Sequence, residues 1–324
     1  MKLFLPFVLI PFLLMANEDR PPIAYNYLAK KEVHNFINMM VNTYHFNRSY
    51  MTDVLRHAKL DRDTLARYTG RFKKNTTVGT WERFKLHVVN PETFDEARRF
   101  KKEHYKTLRR AEKIYKVDMN YIVGFLGVES HFGNYTGDYN ILDALSSLAF
   151  HPNRMKKLFK SELKHLFLFA REKKYDIRKL EGSFAGAMGC VQQLPSIARK
   201  FNSDFDGDGA SVWDIEDCIG SIAKFMHKNG WKNGRVVAVP SNFNGKRFRR
   251  LKTSHRRTIS TKSILKAGIK PLAPFNEPRA YLLKLRNKTH DDIWIAGRNF
   301  RVLTRYNNAA TYGMAIHLIA EQVK

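Results

Sequence analysis

Apolar residues recur at helical spacing along most of this chain, and the exceptions carry the information. From about Asn17 to Tyr115 the text is helical and rich in polar residues. Phe94, Ala97, Arg98, Lys101, Tyr105, Leu108 and Ala111 to Tyr115 predict one long amphipathic helix after Pro91. A shorter one runs from Asp118, a candidate N-cap, to Gly133, a candidate C′ stop. Ile141 to Phe150 predicts another short helix. Arg154 to Lys174 predicts a further helix, with Leu158, Phe159, Leu163, Leu166, Phe167 and Ala170 as its core stripe. The texture then changes. Val236 to Val239, Thr258 to Ser260, and Tyr281 to Leu285 paired with Ile293 to Ile295 read as short strands. Arg298 to Asn307 then leads into a closing helix from Asn308 to Val323.

One residue breaks its pattern. Tyr121, Phe125, Glu129 and Phe132 share a helix face, so a carboxylate stands where another apolar group belongs. Held against aromatic rings, such an acid loses hydration, and its pKa can rise toward roughly 6, where it still donates a proton near neutral pH. The plainer reading is a glutamate at the helix rim, reaching into water. Gly124 and Gly127 each cost a helix interior roughly 1 kcal/mol relative to Ala, so a packed helix or a ligand must approach the backbone there. Asp138 and Asp143 are the nearest acids in sequence that could serve beside Glu129. Asp143 sits at a helix start, where a carboxylate has a structural job, and Asp138 lies in a loop, so a mechanism with one acid has to be considered.

Two further stretches carry chemistry. In Gly182-Ser-Phe-Ala-Gly-Ala-Met-Gly-Cys-Val-Gln-Gln-Leu-Pro-Ser196 the density of small residues lets backbone approach closely. Ser183 and Gln192 there offer hydrogen-bonding groups suited to sugar hydroxyls or an acetamido group. Ser183 is no hydrolase nucleophile, because its surroundings are not G-x-S-x-G. Asp204, Asp206 and Asp208, with Gly209 and the carbonyl of Ala210, follow the first seven positions of a calcium-wrapping loop. Ile215 stands where the closing Glu belongs, so Asp217, or less favourably Glu216, must close a longer loop. The alternative is a plain Asp-Gly turn. Cys190 and Cys218 are the only cysteines, 28 positions apart. A bond between them in an oxidising compartment would add roughly 3 kcal/mol; a free pair is the other reading.

Composition narrows the setting. The 324 residues are 44% hydrophobic with a formal net charge of +27 and a pI near 10.1, hence globular and drawn to polyanions: nucleic acid, anionic lipid or acidic cell-wall polymer. Lys246 to Arg257 is the densest basic segment, read as the positive face of a small β insertion or as a solvated loop. Nucleic acid is disfavoured because no recognisable reading module accompanies the charge. Residues 1–16 begin Met1-Lys2 and continue as an apolar run too short to cross a bilayer comfortably, which reads as a signal peptide or an uncleaved N-terminal anchor.

Gly127-Val-Glu-Ser130, Ser183-x-Ala-Gly-Ala-Met-Gly189 with Gln192 and Pro195-Ser196, the aspartate loop with Trp213-Asp214, and Arg305-Tyr306-Asn307 together resemble the membrane-bound lytic murein transglycosylase B family, from about Pro91 to the C-terminus. The resemblance implies an α+β, mainly α chain. Its parts are a helical domain (17–115), a lysozyme-like catalytic core (116–235, with calcium loop 204–217), a small basic β insertion (236–297) and a last core segment (298–324). Residues 151–175 could pack with the helical domain. It implies that Glu129 is the sole catalytic acid/base, breaking the bond between N-acetylmuramic acid and N-acetylglucosamine without water and leaving 1,6-anhydromuramoyl ends. Ser183, Gln192, Tyr306, Asn307 and Tyr312 match residues that line the cleft, and Arg154 matches a contact to the peptide or lactyl part of the substrate. Asp204, Asp206, Asp208, Ala210 and Asp217 match the calcium site, and no organic cofactor is implied. The implied setting is periplasmic or secreted, with peptidoglycan glycan strands and other cell-wall enzymes as partners and membrane contact only through an uncleaved N-terminus. Met155, Phe225, Gln193-Leu194 and an aspartate loop one residue shorter depart from the family pattern, and bear on substrate preference and calcium affinity. A hydrolytic muramidase and a non-catalytic wall-binding protein are the competing readings.

Overall fold

In a computed structural model that describes residues 21–69, 79–243 and 245–324, the helical text separates into short, individually capped segments. The expected signal or anchor over 1–16 lies outside the described residues. Strand β1 (Ile23–Ala24) pairs antiparallel with β2 (Lys59–Leu60) around α1 (Lys31–Tyr44) and α2 (Arg48–His57), and α3 (Arg62–Thr69) and α4 (Thr80–Val88) follow. Next come α5 (Pro91–Glu103) and α6 (Tyr105–Tyr115). The single helix expected across Phe94 to Tyr115 is therefore two, with His104 (φ −100°, ψ 20°) as the joint. Phe100, Leu108 and Ala111 are buried on both sides of the joint, so the apolar stripe reads straight through it.

Helix α7 (Met119–Ser130) starts as the sequence predicts, with the Asp118 side chain accepting from the Asn120 amide. Its end differs. His131 (φ 51°) is the left-handed cap, and Phe132 (φ 62°) and Gly133 (φ 93°) continue in that conformation. Phe132 thus leaves the helix and folds its ring back over Gly127, where an added Cβ would meet it at 2.8 Å. Nor is α7 amphipathic: Tyr121 to Val128 are all buried, as in a helix enclosed on every side. Its neighbours are α5, α6, α11 (Ile215–Lys228) and, most extensively, α14 (Ala310–Gln322). A Cβ on Gly124 would lie 2.5 Å from the Ile316 carbonyl oxygen, so the close approach there is α14 itself.

Before α11 the chain forms α8 (Ile141–Phe150), with the bounds read from sequence, and α9 (Lys156–Lys173). The pair β3 (Tyr139–Asn140) and β4 (Glu181–Gly182) closes the turn around them, and α10 (Pro195–Phe201) follows. Helices α8 and α9 share one core with α1 and α2, whereas Trp81, Phe84, Ala97 and Phe100 share another with α7, α11 and α14. Cys190 and Cys218 are bonded, Cα to Cα 6.1 Å, which ties the glycine-rich turn to α11.

The basic segment connects two strands of a four-stranded antiparallel sheet ordered β5 (Ala238–Pro240), β8 (Asp291–Ala296), β7 (Arg279–Arg286), β6 (Ile259–Ser260), running from β5 to β6, with α12 (Thr261–Lys266) beside the sheet and a small core of its own. The expected pairing holds, Leu282 opposite Ile295. Arg247 is neither displayed nor loose: it donates to the carbonyls of Asn287, Lys288 and His290 and to Asp291, fastening the β7–β8 turn. Helix α13 (Arg298–Tyr306) follows, and the closing helix begins at Ala310, after a tight turn in which the Ala309 amide donates to the Asn307 carbonyl at 2.8 Å.

Gly124→Ala is expected to destabilise the protein by about 3 kcal/mol through overpacking against α14, measured by denaturant unfolding; an unchanged midpoint would show that the two helices can separate freely.

Candidate active site

Glu129 lies in the last turn of α7, where the helix dipole adds to the difficulty of holding negative charge. The Tyr312 hydroxyl, from the first turn of α14, donates to Glu129 Oε1. Around this pair the rings of Phe125, Tyr306 and Tyr312 close in, with centroids 5.2 Å (Phe125 to Tyr306) and 6.0 Å (Phe125 to Tyr312) apart and the two tyrosines parallel at 6.5 Å. Phe225 adds an edge contact to Tyr306 at 4.9 Å. Burial pushes the Glu129 carboxyl up to about 8, and the Tyr312 hydrogen bond opposes that only in part. The structure therefore exceeds the value of roughly 6 expected from aromatic packing alone. No second acid contributes to the shift. Asp143 is engaged elsewhere: its Oδ1 accepts from the Lys59 amide at 2.7 Å, tying α8 to β2.

The other expected residues fall in three places. Tyr306 and Tyr312 stand beside Glu129; Tyr306 donates to the Val191 carbonyl, and Asn307 follows it, buried. Ser183 and Gln192 build the glycine-rich turn. Ser183 Oγ accepts from the amides of Ala185 (3.3 Å) and Ala187 (3.1 Å). Gln192, itself at φ 46°, donates through Nε2 to the carbonyls of Thr136 (2.8 Å) and Gly189 (3.0 Å). Because Val191 receives the Tyr306 hydroxyl, this turn is fastened to the aromatic wall of the site. Arg154 is on an exposed turn before α9, its guanidinium 5.5 Å from the centre of the Tyr68 ring.

Sequence reasoning passed over Gln193 except as a departure from the family pattern. It is 1% exposed, and neither side-chain polar atom closes a hydrogen bond. Its amide nevertheless faces Tyr306 closely enough to favour the ionised phenol, against the larger effect of burial. The signal available was the amide itself, at a position where the resemblance expects an aromatic.

In the aspartate loop, carboxylate oxygens of Asp204, Asp206 and Asp208 lie within 4.8 Å of one another, all exposed. Asp206 beside it pushes the Asp208 carboxyl up, the signature of crowded negative charge. Donors that are all oxygen suit a hard cation such as calcium. Asp217 is not part of that cluster. Its two oxygens accept from the Phe205 and Ser211 amides at 2.5 and 2.6 Å, so it shapes the loop from inside.

The chain matches the transglycosylase SLT domain over residues 29–321. It is 32% identical over 321 residues to the membrane-bound lytic murein transglycosylase B of Escherichia coli (strain K12), covering 96% of this chain and 88% of that protein. Among solved structures it is similar to the Escherichia coli lytic transglycosylase SLT35 in complex with bulgecin A (TM-score 0.85, 32% identity, 93% of this chain and 95% of that one). It is likewise similar to SLT35 in complex with calcium (TM-score 0.84, 32% identity, 93% and 95%).

Glu129 holds its proton in the fold up to about pH 8 but loses it near 4.5 when exposed. Its raised pKa therefore favours the folded state fully below about 4.5, and that contribution is lost as pH climbs toward 8. Glu129→Gln cannot ionise, so its stability advantage over wild type should widen between pH 5 and 8 in denaturant titrations; parallel curves would mean that the carboxyl is not desolvated.

Proposed function

The chain belongs to the transglycosylase SLT domain family, and from that premise we propose that Glu129 is the single acid/base of a peptidoglycan lytic transglycosylase. The observation that carries the assignment is a lone glutamic acid, desolvated to a pKa of about 8 and oriented by Tyr312, with no second acid contributing to its shift. A proton on Glu129 passes to the glycosidic oxygen between N-acetylmuramic acid and N-acetylglucosamine as the bond to the muramoyl C1 breaks. The carboxylate so formed takes the proton of the muramoyl 6-hydroxyl, whose oxygen closes on C1 to give the 1,6-anhydro ring. The sugar's own acetamido group stabilises the positive intermediate, so the site needs no carboxylate nucleophile. Tyr312 holds Oε1, which leaves Oε2 to carry the proton. Burial of the carboxyl keeps the acid protonated at neutral pH.

The cleft is completed in this reading by Ser183, Gln192, Tyr306 and Asn307, with Arg154 further along toward the peptide. The division into a helical domain, a catalytic core closed by the last helices and a β insertion belongs to the same reading. Asp204, Asp206 and Asp208 with the Ala210 carbonyl are the residues that would hold calcium, which supplies charge neutralisation and rigidity when bound. Asp217 supports the loop through its backbone bonds. The protein acts on the wall from the periplasm or after secretion; no helix among the described residues is long and apolar enough to cross a membrane.

Digestion of purified sacculi should release 1,6-anhydromuramoyl products, and Glu129→Gln should slow release about a thousandfold. Reducing ends opened by water would identify a hydrolase instead. Added calcium should raise the melting temperature of wild type by several degrees and leave an Asp206→Asn, Asp208→Asn double variant unmoved; equal responses would place the ion elsewhere.

A further inference from the structure

The strongest unexplained charge outside the catalytic pair sits where the β insertion meets α13. Arg301 and Arg305 are one helical turn apart on α13, close enough to face each other. The turn bearing His255 and Arg256 is fastened beside them. The Ser254 amide donates to the Leu282 carbonyl of β7 at 2.8 Å, and Ser254 Oγ accepts from the amides of Arg256 and Arg257, each at 3.0 Å. His255 Nε2 pairs with Asn308 Oδ1 at 3.0 Å, linking this turn to the residue that follows Tyr306-Asn307.

Among the described residues, no acid pairs with these cations. Arg301 donates to the carbonyl and hydroxyl of Thr304, and Arg305 to the Asn229 carbonyl at 2.6 Å. The exposed Arg256 guanidinium has no partner among the described residues, and the arginines that form salt bridges there are others. Burial, with Arg305 and Arg256 adding repulsion, lowers the pKa of Arg301 from its usual value, while Tyr281 opposes the shift. Like charges held together on two fastened elements cost stability, and an anion bound among them relieves that cost.

We infer that Arg256, Arg301 and Arg305 form a binding site for a carboxylate of the peptide that hangs from the glycan strand. The inference rests on the peptidoglycan reading and extends it to the substrate's peptide. Guanidinium forks match carboxylates in a bidentate geometry that a lone ammonium does not offer. The site adjoins the Tyr306-Asn307 segment, and the polymer threaded past that segment carries carboxylates on its peptides. Two arginines on one turn of α13, with Arg256 near enough to repel Arg301, suit a single short anion better than the extended backbone of a nucleic acid.

The test is equilibrium binding of a disaccharide-peptide to the full-length Glu129→Gln protein, with the peptide carboxylates free or converted to amides. Arg256 is exposed, so Arg256→Ala should melt with its parent. It should weaken binding of the free acid about tenfold, leave the amide unchanged, and be rescued only in part by Arg256→Lys, whose ammonium keeps the charge but not the fork. Equal binding of both ligands by the parent, or equal loss of both in Arg256→Ala, overturns the site while leaving the catalytic reading intact. If neither ligand binds the parent, both readings fail together.

Discussion

Keeping one carboxylic acid poorly hydrated is the constraint on which the rest of this structure depends. In water Glu129 would be ionised at neutral pH and useless as a proton donor; burial raises it to about 8. That environment is assembled from distant parts of the chain: Phe125 one turn earlier on α7, Phe225 on α11, Tyr306 at the end of α13 and Tyr312 on α14. Tyr312 is the one hydrogen-bond partner of the carboxyl among the described residues, and it orients the acid without supplying a positive charge that would ionise it.

Holding an acid so requires that α7 not move. Gly124 lets α14 press against the helix backbone, and Gly127 lets the ring of Phe132 fold over it, which in turn demands three successive left-handed residues at 131–133. The Cys190–Cys218 bond and the Tyr306 hydroxyl on the Val191 carbonyl fix the glycine-rich turn against the same core. Glu162 does similar work further out, its carboxylate accepting from the amide and hydroxyl of Ser196 at the start of α10. Polar side chains around the site thus mostly hold backbone in place, and the proposed chemistry rests on one pair.

What could be read from the sequence was local. The Asp118 cap, the bounds of α8 and the pairing of β7 with β8 each depend on a few neighbouring residues, and each is legible. The joint at His104 is hidden because the apolar stripe continues through it, and the helix end is hidden because His131 and Phe132, rather than glycine, adopt the left-handed turn. Gly124 announced a close approach but not the partner, since Ile316 lies on α14 near the other end of the chain. The misplaced acid was visible as a break in periodicity. Tyr312 was reachable only through the family resemblance, and the cluster of Arg256, Arg301 and Arg305 not at all, because the elements that gather them are joined only in three dimensions.

The central claim is the protonation state of Glu129, and infrared difference spectroscopy of wild type against Glu129→Gln reads it directly. The account predicts a protonated carboxyl band that persists through neutral pH and disappears around pH 8. A band already lost near pH 4.5, the ordinary glutamate range, would contradict it.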